Sequence, residues 1–144
     1  MTQHHSSADD HSERTSERAY YVLGGGTLGT AVARRLRSNG YPVSLVDSPG
    51  DQPETSGRQG DPVDPTLLEE AGVAGASTVI VATRSDRQNL LVAQLVSARF
   101  DVPEVVVLAN APDRLDAFAE AGHHPVCATD VLSDALADSI SDNA

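Results

Sequence analysis

The sequence predicts an α/β fold with a doubly wound parallel sheet. Three observations lead there: short, almost wholly apolar segments recur along the chain, amphipathic segments of helical period separate them, and glycines cluster where the first segment ends. Strands that are apolar on both faces need cover on both sides, and right-handed crossovers supply it by winding helices over the two faces of one sheet.

The elements follow in order. Residues 1–18, rich in Ser, Asp, Glu and His without apolar periodicity, read as a disordered tail, and 19–144 as a single domain. His4, His5 and His11 belong to that tail and are solvated residues rather than a metal site. "AYYVLG" is a buried strand closed by glycine. "TLGTAVARRLRSNG" places Leu28, Ala31, Val32 and Leu36 at helical spacing, with Asn39-Gly40 as the stop. "PVSLVD" is the second strand. "SPGDQPETSGRQGDPVDP" is dense in Pro, Gly and Asp and reads as loop, so the region of the third strand is shortened. "TLLEEAG" is a short helix, "STVIVAT" a clear strand and "DRQNLLVAQLVSARF" a long helix. "EVVVLA" is a strand, "PDRLDAFAEAG" a helix and "PVCA" a brief last strand. "DVLSDALADSI" closes the chain as a helix, with Leu132, Ala135, Leu136 and Ile140 on one face.

Composition narrows the function. The 144 residues are 40% apolar and contain no run near the roughly 20 apolar residues that span a bilayer, so direct membrane insertion is excluded. The N-terminus lacks the features of a signal peptide, which points to a cytoplasmic protein. The 10 basic residues are all Arg and face 21 acidic ones, for a formal charge of −11. Such a surface repels phosphate backbones and argues against nucleic-acid binding. Excess carboxylate without Lys points to a halophilic protein whose self-repulsion is screened by molar salt. The single cysteine, Cys127, allows neither an internal disulfide nor a multi-cysteine metal cluster, and reads as a small buried apolar residue.

The glycines carry the functional signal. In Gly24-Gly25-Gly26-Thr27-Leu28-Gly29, glycines occupy the first, third and sixth places of G-x-G-x-x-G, between a predicted strand and a predicted helix. Asp47 ends the second strand 23 residues after Gly24, near the offset of a dinucleotide site. Gly24 permits the tight turn, Gly26 leaves room for a pyrophosphate, and Gly29 lets helix and strand approach closely. Unpaired N–H groups and the positive end of the helix dipole then face the anion. Asp47 is placed to accept hydrogen bonds from both hydroxyls of an adenosine ribose, which favours NAD(H) over NADP(H). This is a Rossmann-like arrangement, and Gly24, Gly26, Thr27, Leu28, Gly29 and Asp47 are its candidate cofactor contacts.

The same residues, with "GDPVDPTLLEEAGV", "STVIVATRSDRQN" and "LANAPDRLDAFAEAGHHPV" in that order, resemble the nucleotide-binding N-terminal domain of the Trk-type potassium-uptake regulators, the RCK or KTN family. The resemblance covers about residues 19–140. It implies a regulatory module for potassium transport that binds NAD(H), with ADP or ATP as other ligands, and a potassium transporter or channel subunit as partner. By position it puts Gly60 and Asp61 near the adenine end of the nucleotide. Asp61 equally suits a helix-capping acid ahead of "TLLEEAG". Thr83 falls at the carboxyl end of a strand, where open α/β sheets bind ligands. Asp86 and Asn89 open the next helix, where Ser85 or Asp86 could instead be its cap. Three departures stand out. Few residues separate Asp47 from Gly60, Leu108 stands near a position where the family often carries an arginine, and no ligand-sensing second domain follows, which suggests a stand-alone, haloarchaeal form of the domain.

An enzyme is disfavoured. Without Lys there is no Tyr-x-x-x-Lys pair, and one domain leaves little room for a substrate pocket. His123-His124 read as loop or surface residues that cannot share one metal, because neighbours on a strand point to opposite faces. No catalytic or metal residue is assigned. A small NAD-dependent oxidoreductase or epimerase-like enzyme is the alternative. A phosphoacceptor receiver domain shares the β/α alternation but needs clustered N-terminal acids and a lysine. The last helix and the resemblance together point to a homodimer.

Overall fold

The computed structural model describes residues 19–47 and 57–143; the N-terminal tail expected over 1–18 lies outside them. Six strands form one parallel sheet: β1 (Tyr20–Leu23), β2 (Val43–Asp47), β3 (Gly57–Gln59), β4 (Thr78–Val81), β5 (Glu104–Ala109) and β6 (His124–Cys127). Their spatial order is β3-β2-β1-β4-β5-β6. Five helices alternate with them: α1 (Gly26–Ser38), α2 (Pro65–Ala71), α3 (Asp86–Phe100), α4 (Leu115–Glu120) and α5 (Ala128–Asn143). The strand order reverses between β1 and β4, which opens a crevice at the carboxyl ends of these two neighbours.

Local chemistry sets the boundaries. At α1, Arg35 and Arg37 lie in the last turn, where cations oppose the negative end of the helix dipole, and Gly40 follows at φ +91°. Asp64 caps α2 by accepting from Thr66 N–H at 3.0 Å; Pro65 starts that helix and left-handed Gly72 ends it. Asp61, the acid that the sequence offers for this cap, lies three residues too early. Ser85 caps α3 by accepting from Gln88 N–H at 3.1 Å, which leaves the Asp86 carboxylate for other partners.

Strand alternation divides the core between two faces. Leu23, Val46, Val79, Val81 and Val107 point to the side where α2, α3 and α4 contribute Leu68, Val92, Val96, Phe100 and Phe118. Val22 and Leu45 point the other way, towards Ala33 and Val32 of α1. α1 is the sole described helix on that side. Val106, Leu108 and Val126, which share this face by alternation and register, are therefore only half-buried.

The structure amends two expectations. A three-residue strand, β3, pairs with β2 inside the segment that reads as loop, through Leu45 opposite Gly57 and Asp47 opposite Gln59. Its composition hides it, because backbone pairing at a sheet edge asks little of side chains. His123 is buried rather than on the surface: its N–H donates to Phe118 O as the chain turns from α4 into β6, which tucks the imidazole inward. α5 does not cover its own sheet; from Thr129 to Ile140 every residue is exposed. Cys127 is buried and free, as its type suggests.

Candidate functional site

The glycine-rich turn sits at the crevice, over the carboxyl end of β1. Gly24 donates its N–H to Val46 O at 2.8 Å and adopts φ +85°, with its Cα against Thr83. A Cβ at Gly24 would overlap the Thr83 methyl, and one at Gly29 would overlap Gly24 O, so turn and helix are packed backbone to backbone. Gly26, at φ +56°, has nothing within 4 Å of a would-be Cβ, so open space lies where the third-place glycine should expose the backbone to a ligand.

Asp47 lies beneath the turn, 4% exposed, and its Oδ2 accepts from Gly26 N–H at 2.9 Å. A Cβ at Gly25 would overlap this same carboxylate, which explains the glycine in the middle of the run. The expectation that the amides of the turn stand unpaired therefore needs a correction: the Gly26 amide is already engaged. The next amides of the first turn, at Thr27 and Leu28, have no intrahelical acceptor and sit at the positive end of the dipole. The second carboxylate oxygen of Asp47, Oδ1, has no donor among the described residues.

The β4 side of the crevice is held by side chains that the sequence reading placed among the ligand contacts. Asn89 is fully buried. Its Oδ1 accepts from Thr83 N–H at 2.9 Å and from the Thr83 hydroxyl at 2.6 Å, while its Nδ2 donates to Thr83 O at 3.1 Å and Leu108 O at 2.9 Å. Both donors and both lone pairs of the amide are thus spent on protein. Asp86 is similarly occupied: Oδ1 accepts from Asn110 N–H at 2.6 Å and Asn110 Nδ2 at 2.9 Å, and Oδ2 from Ala111 N–H at 3.0 Å. These two side chains pin the β4–α3 loop and the end of β5 together from below; the Asn89 amide has no group left to offer a ligand, and Asp86 Oδ2 keeps one lone pair.

Between the two sides lies a cleft of about 360 Å³, lined by Gly25, Gly26, Thr27 and Leu28 from the turn and by Ala82, Thr83, Arg84, Leu108 and Asn110 from the ends of β4 and β5. Arg84, Leu108 and Asn110 join it because β4 and β5 are neighbours, a relation that sequence spacing does not display. Gly60 and Asp61 do not line it. They stand at the β2 side, where Gly60 N–H donates to Asp47 O at 2.7 Å. Asp61 Oδ1 accepts from Val63 N–H at 3.1 Å and Gln88 Nε2 at 3.3 Å, tying this loop to the start of α3.

A parallel sheet with strand order 3-2-1-4-5-6, a glycine turn into a helix at the switch point and an acid at the end of β2 define a nucleotide-binding domain of the doubly wound class. Comparison with known proteins fixes the family. The model of the TrkA-N domain matches residues 20–131, and the chain belongs to that family. It is 33% identical over 97 residues to the Trk system potassium uptake protein TrkA of Mycobacterium tuberculosis (strain ATCC 25618 / H37Rv), which covers 63% of this chain and 44% of the relative. It is 29% identical over 108 residues to a TrkA homolog of Methanothermobacter thermautotrophicus, 70% of this chain and 50% of that one. The chain thus spans half or less of the length of these relatives. Among solved structures, the GsuK channel bound to NAD superposes with a TM-score of 0.77 at 25% identity, over 88% of this chain and 24% of that one. GsuK bound to ADP gives 0.77 at 25% identity, over 90% and 35%.

Proposed function

We propose that this chain is a nucleotide-binding regulatory module of a potassium transport system, with NAD(H) as its ligand and ADP or ATP as competitors for the same site. The observation that carries the reading is the glycine turn held over a buried Asp47 at the switch point of the sheet, with the cleft opening beside it. A pyrophosphate sits at the Thr27 and Leu28 amides, over the open space at Gly26. The adenosine ribose meets Asp47, and the adenine lies towards Gly60 and Asp61. Gly24, Gly29, Asp86 and Asn89 shape the site, and Thr83 forms its β4 wall. The potassium-uptake names of the relatives and the NAD- and ADP-bound states of GsuK support both the ligand class and the regulatory role.

Binding without turnover is the better reading. Among the described residues, those lining the cleft include no His, Cys, Tyr or carboxylate to move a proton beside a nicotinamide. The partner is a potassium transporter or channel subunit at the cytoplasmic side of a membrane. Among the described residues no helix is long and apolar enough to cross one. A homodimer is supported by α5, whose Leu132, Leu136 and Ile140 are 60%, 67% and 73% exposed along one face, and by the half-open sheet face around Val106 and Val126. The acidic surface without Lys supports a protein adapted to concentrated salt.

Mass spectrometry of the nucleotide that co-purifies with the chain, followed by calorimetric titration of NAD, NADH, ADP and ATP, tests the reading. Retention or binding of an adenine nucleotide is the expected result. Failure of all four to bind in molar KCl would refute it, and steady oxidation of NADH with a carbonyl substrate would replace it with the enzymatic alternative.

A further inference from the structure

We propose that Arg84 is the phosphate-anchoring residue of the cleft, a guanidinium that closes on the phosphate farther from the adenosine. The inference rests on the nucleotide reading above and adds a residue to it.

The backbone around Arg84 is fixed on both sides. Thr83 is held at its N–H, hydroxyl and carbonyl by Asn89, and Ser85 is held by its N–H to Thr83 Oγ1 at 3.2 Å and by its role as the α3 cap. A long side chain launched from so constrained a position has its reach set by the fold, and its own rotamers are the remaining freedom. Arg84 lines the cleft across from Gly25, Gly26 and Thr27, and it is exposed.

Its charge has no other use in the structure. Among the described residues Arg84 has no hydrogen-bond or ion-pair partner. The carboxylate two positions on, Asp86, is turned to Asn110 and Ala111, from which it accepts three hydrogen bonds. Among the described residues no other cation lines the cleft. An anion seated there meets a chain of formal charge −11, with the Asp47 carboxylate directly beneath the turn and the amide of Gly26 already taken by it. Backbone dipoles from Thr27 and Leu28 must work against that field. A guanidinium, which pairs with phosphate oxygens through two parallel N–H donors, supplies the missing positive charge. Arg84 lies on the β4 side of the turn and Asp47 on the β2 side, so it meets the phosphate farther from the adenosine: the β-phosphate of ADP, or the second phosphate of a dinucleotide.

The test is calorimetry of adenosine, ADP, NAD and inorganic pyrophosphate against wild type, Arg84→Gln and Arg84→Lys at fixed salt. Charge-assisted hydrogen bonds at an exposed position predict that Arg84→Gln weakens ADP, NAD and pyrophosphate by about fivefold to thirtyfold. Adenosine should be unchanged within about twofold, and Arg84→Lys should recover part of the loss because it restores charge without the fork. Equal binding of ADP and pyrophosphate by wild type and Arg84→Gln would overturn the proposal, as would an equal loss for adenosine, which would place the effect in the fold. Pyrophosphate separates the two readings: binding of pyrophosphate that depends on Arg84, with no binding of any nucleotide, would sustain the anion site and refute the nucleotide function.

Discussion

Asp47 and Gly26, 21 residues apart, are joined by a hydrogen bond of 2.9 Å from the Gly26 amide to Oδ2 of the buried carboxylate. The bond couples the end of β2 to the turn after β1, so the carboxylate proposed to read the ribose also sets the shape of the proposed phosphate loop. The remaining oxygen is then the one to meet ribose hydroxyls. A 2′-phosphate at that place would face a carboxylate: two unit charges 4 Å apart repel by about 4 kcal/mol at an effective dielectric of 20. Screening and rotation reduce this, while the lost hydrogen bonds are unaffected by salt. NAD should therefore bind about 10- to 100-fold more tightly than NADP, roughly 1.5–3 kcal/mol. Asp47→Ser should weaken NAD and narrow the gap. Titration of both cofactors into both proteins measures it, and equal affinities in wild type would remove this role from Asp47.

The glycines separate into two kinds, and substitution should show it. At Gly29 a Cβ overlaps the Gly24 carbonyl, which is backbone and cannot swing aside. Gly29→Ala should cost about 1–3 kcal/mol of stability, as overpacking does. At Gly26 no atom is in the way, and the cost of Ala is the left-handed backbone, about 1–2 kcal/mol. Gly26→Ala should instead lose nucleotide affinity by more than its stability change explains, because the methyl enters the space a phosphate needs. Denaturant unfolding and calorimetry on both variants decide this, and an unimpaired affinity in Gly26→Ala would place the pyrophosphate elsewhere.

How far the sequence could be read follows from what each feature leaves in a linear pattern. Apolar runs, helical periods and the spacing of Gly24, Gly26, Gly29 and Asp47 are local, and they located the sheet, its helices and one wall of the cleft. β3 left no such trace, since its pairing is backbone alone. The family resemblance puts Asn89 among the ligand contacts, yet its amide turns inward to Thr83 and Leu108. Arg84 passed unnoticed between two polar neighbours. Only the adjacency of β4 to β1 and β5 makes it part of the site.

Asn89 should matter to the whole crevice because its amide is spent on Thr83 and Leu108. Asn89→Ala strands the Thr83 N–H and the Leu108 carbonyl in a buried place, at about 1–3 kcal/mol for each unsatisfied group. The expected loss is about 2–4 kcal/mol in total, since relaxation and water recover part of it. Hydrogen exchange should quicken at Thr83 beyond the global change. A stability within about 0.5 kcal/mol of wild type, the range of an ordinary surface substitution, would contradict this account.

His123 makes stability depend on pH in a definite direction. Burial lowers its pKa below the usual 6.5, and Nε2 is enclosed without a hydrogen-bond partner. The unfolded chain therefore binds the proton at a pH where the folded chain still refuses it. Between the ordinary histidine value and the lower folded value, the unfolded state holds more protons, so stability rises with pH and falls as the solution is acidified. Above 6.5 this contribution is fully present. Urea titrations from pH 8 to pH 5 should show the decline, and His123→Leu should flatten the part of it that lies below 6.5. An equally steep profile in the variant would assign the dependence to other groups.

The final helix predicts the state of assembly. α5 is exposed on all sides from Thr129 to Ile140, with Val131, Leu132, Leu136 and Ile140 each more than half exposed. A free helix of this length is marginal in water, because helices in proteins draw most of their stability from burying an apolar face. The sheet of the same chain offers such a face at Val106 and Val126, which are half-buried. Two copies exchanging α5 would cover both surfaces at once, and a stable pair requires about 1,200 Å² of buried surface or more. Light scattering in molar KCl should give twice the mass of the chain. Leu132→Asp combined with Leu136→Asp should yield monomers whose helical circular dichroism drops by about the content of α5, since the helix would then have no partner to order it. A wild-type monomer at high protein concentration, with α5 still helical, would show that the stripe serves some contact other than a second copy.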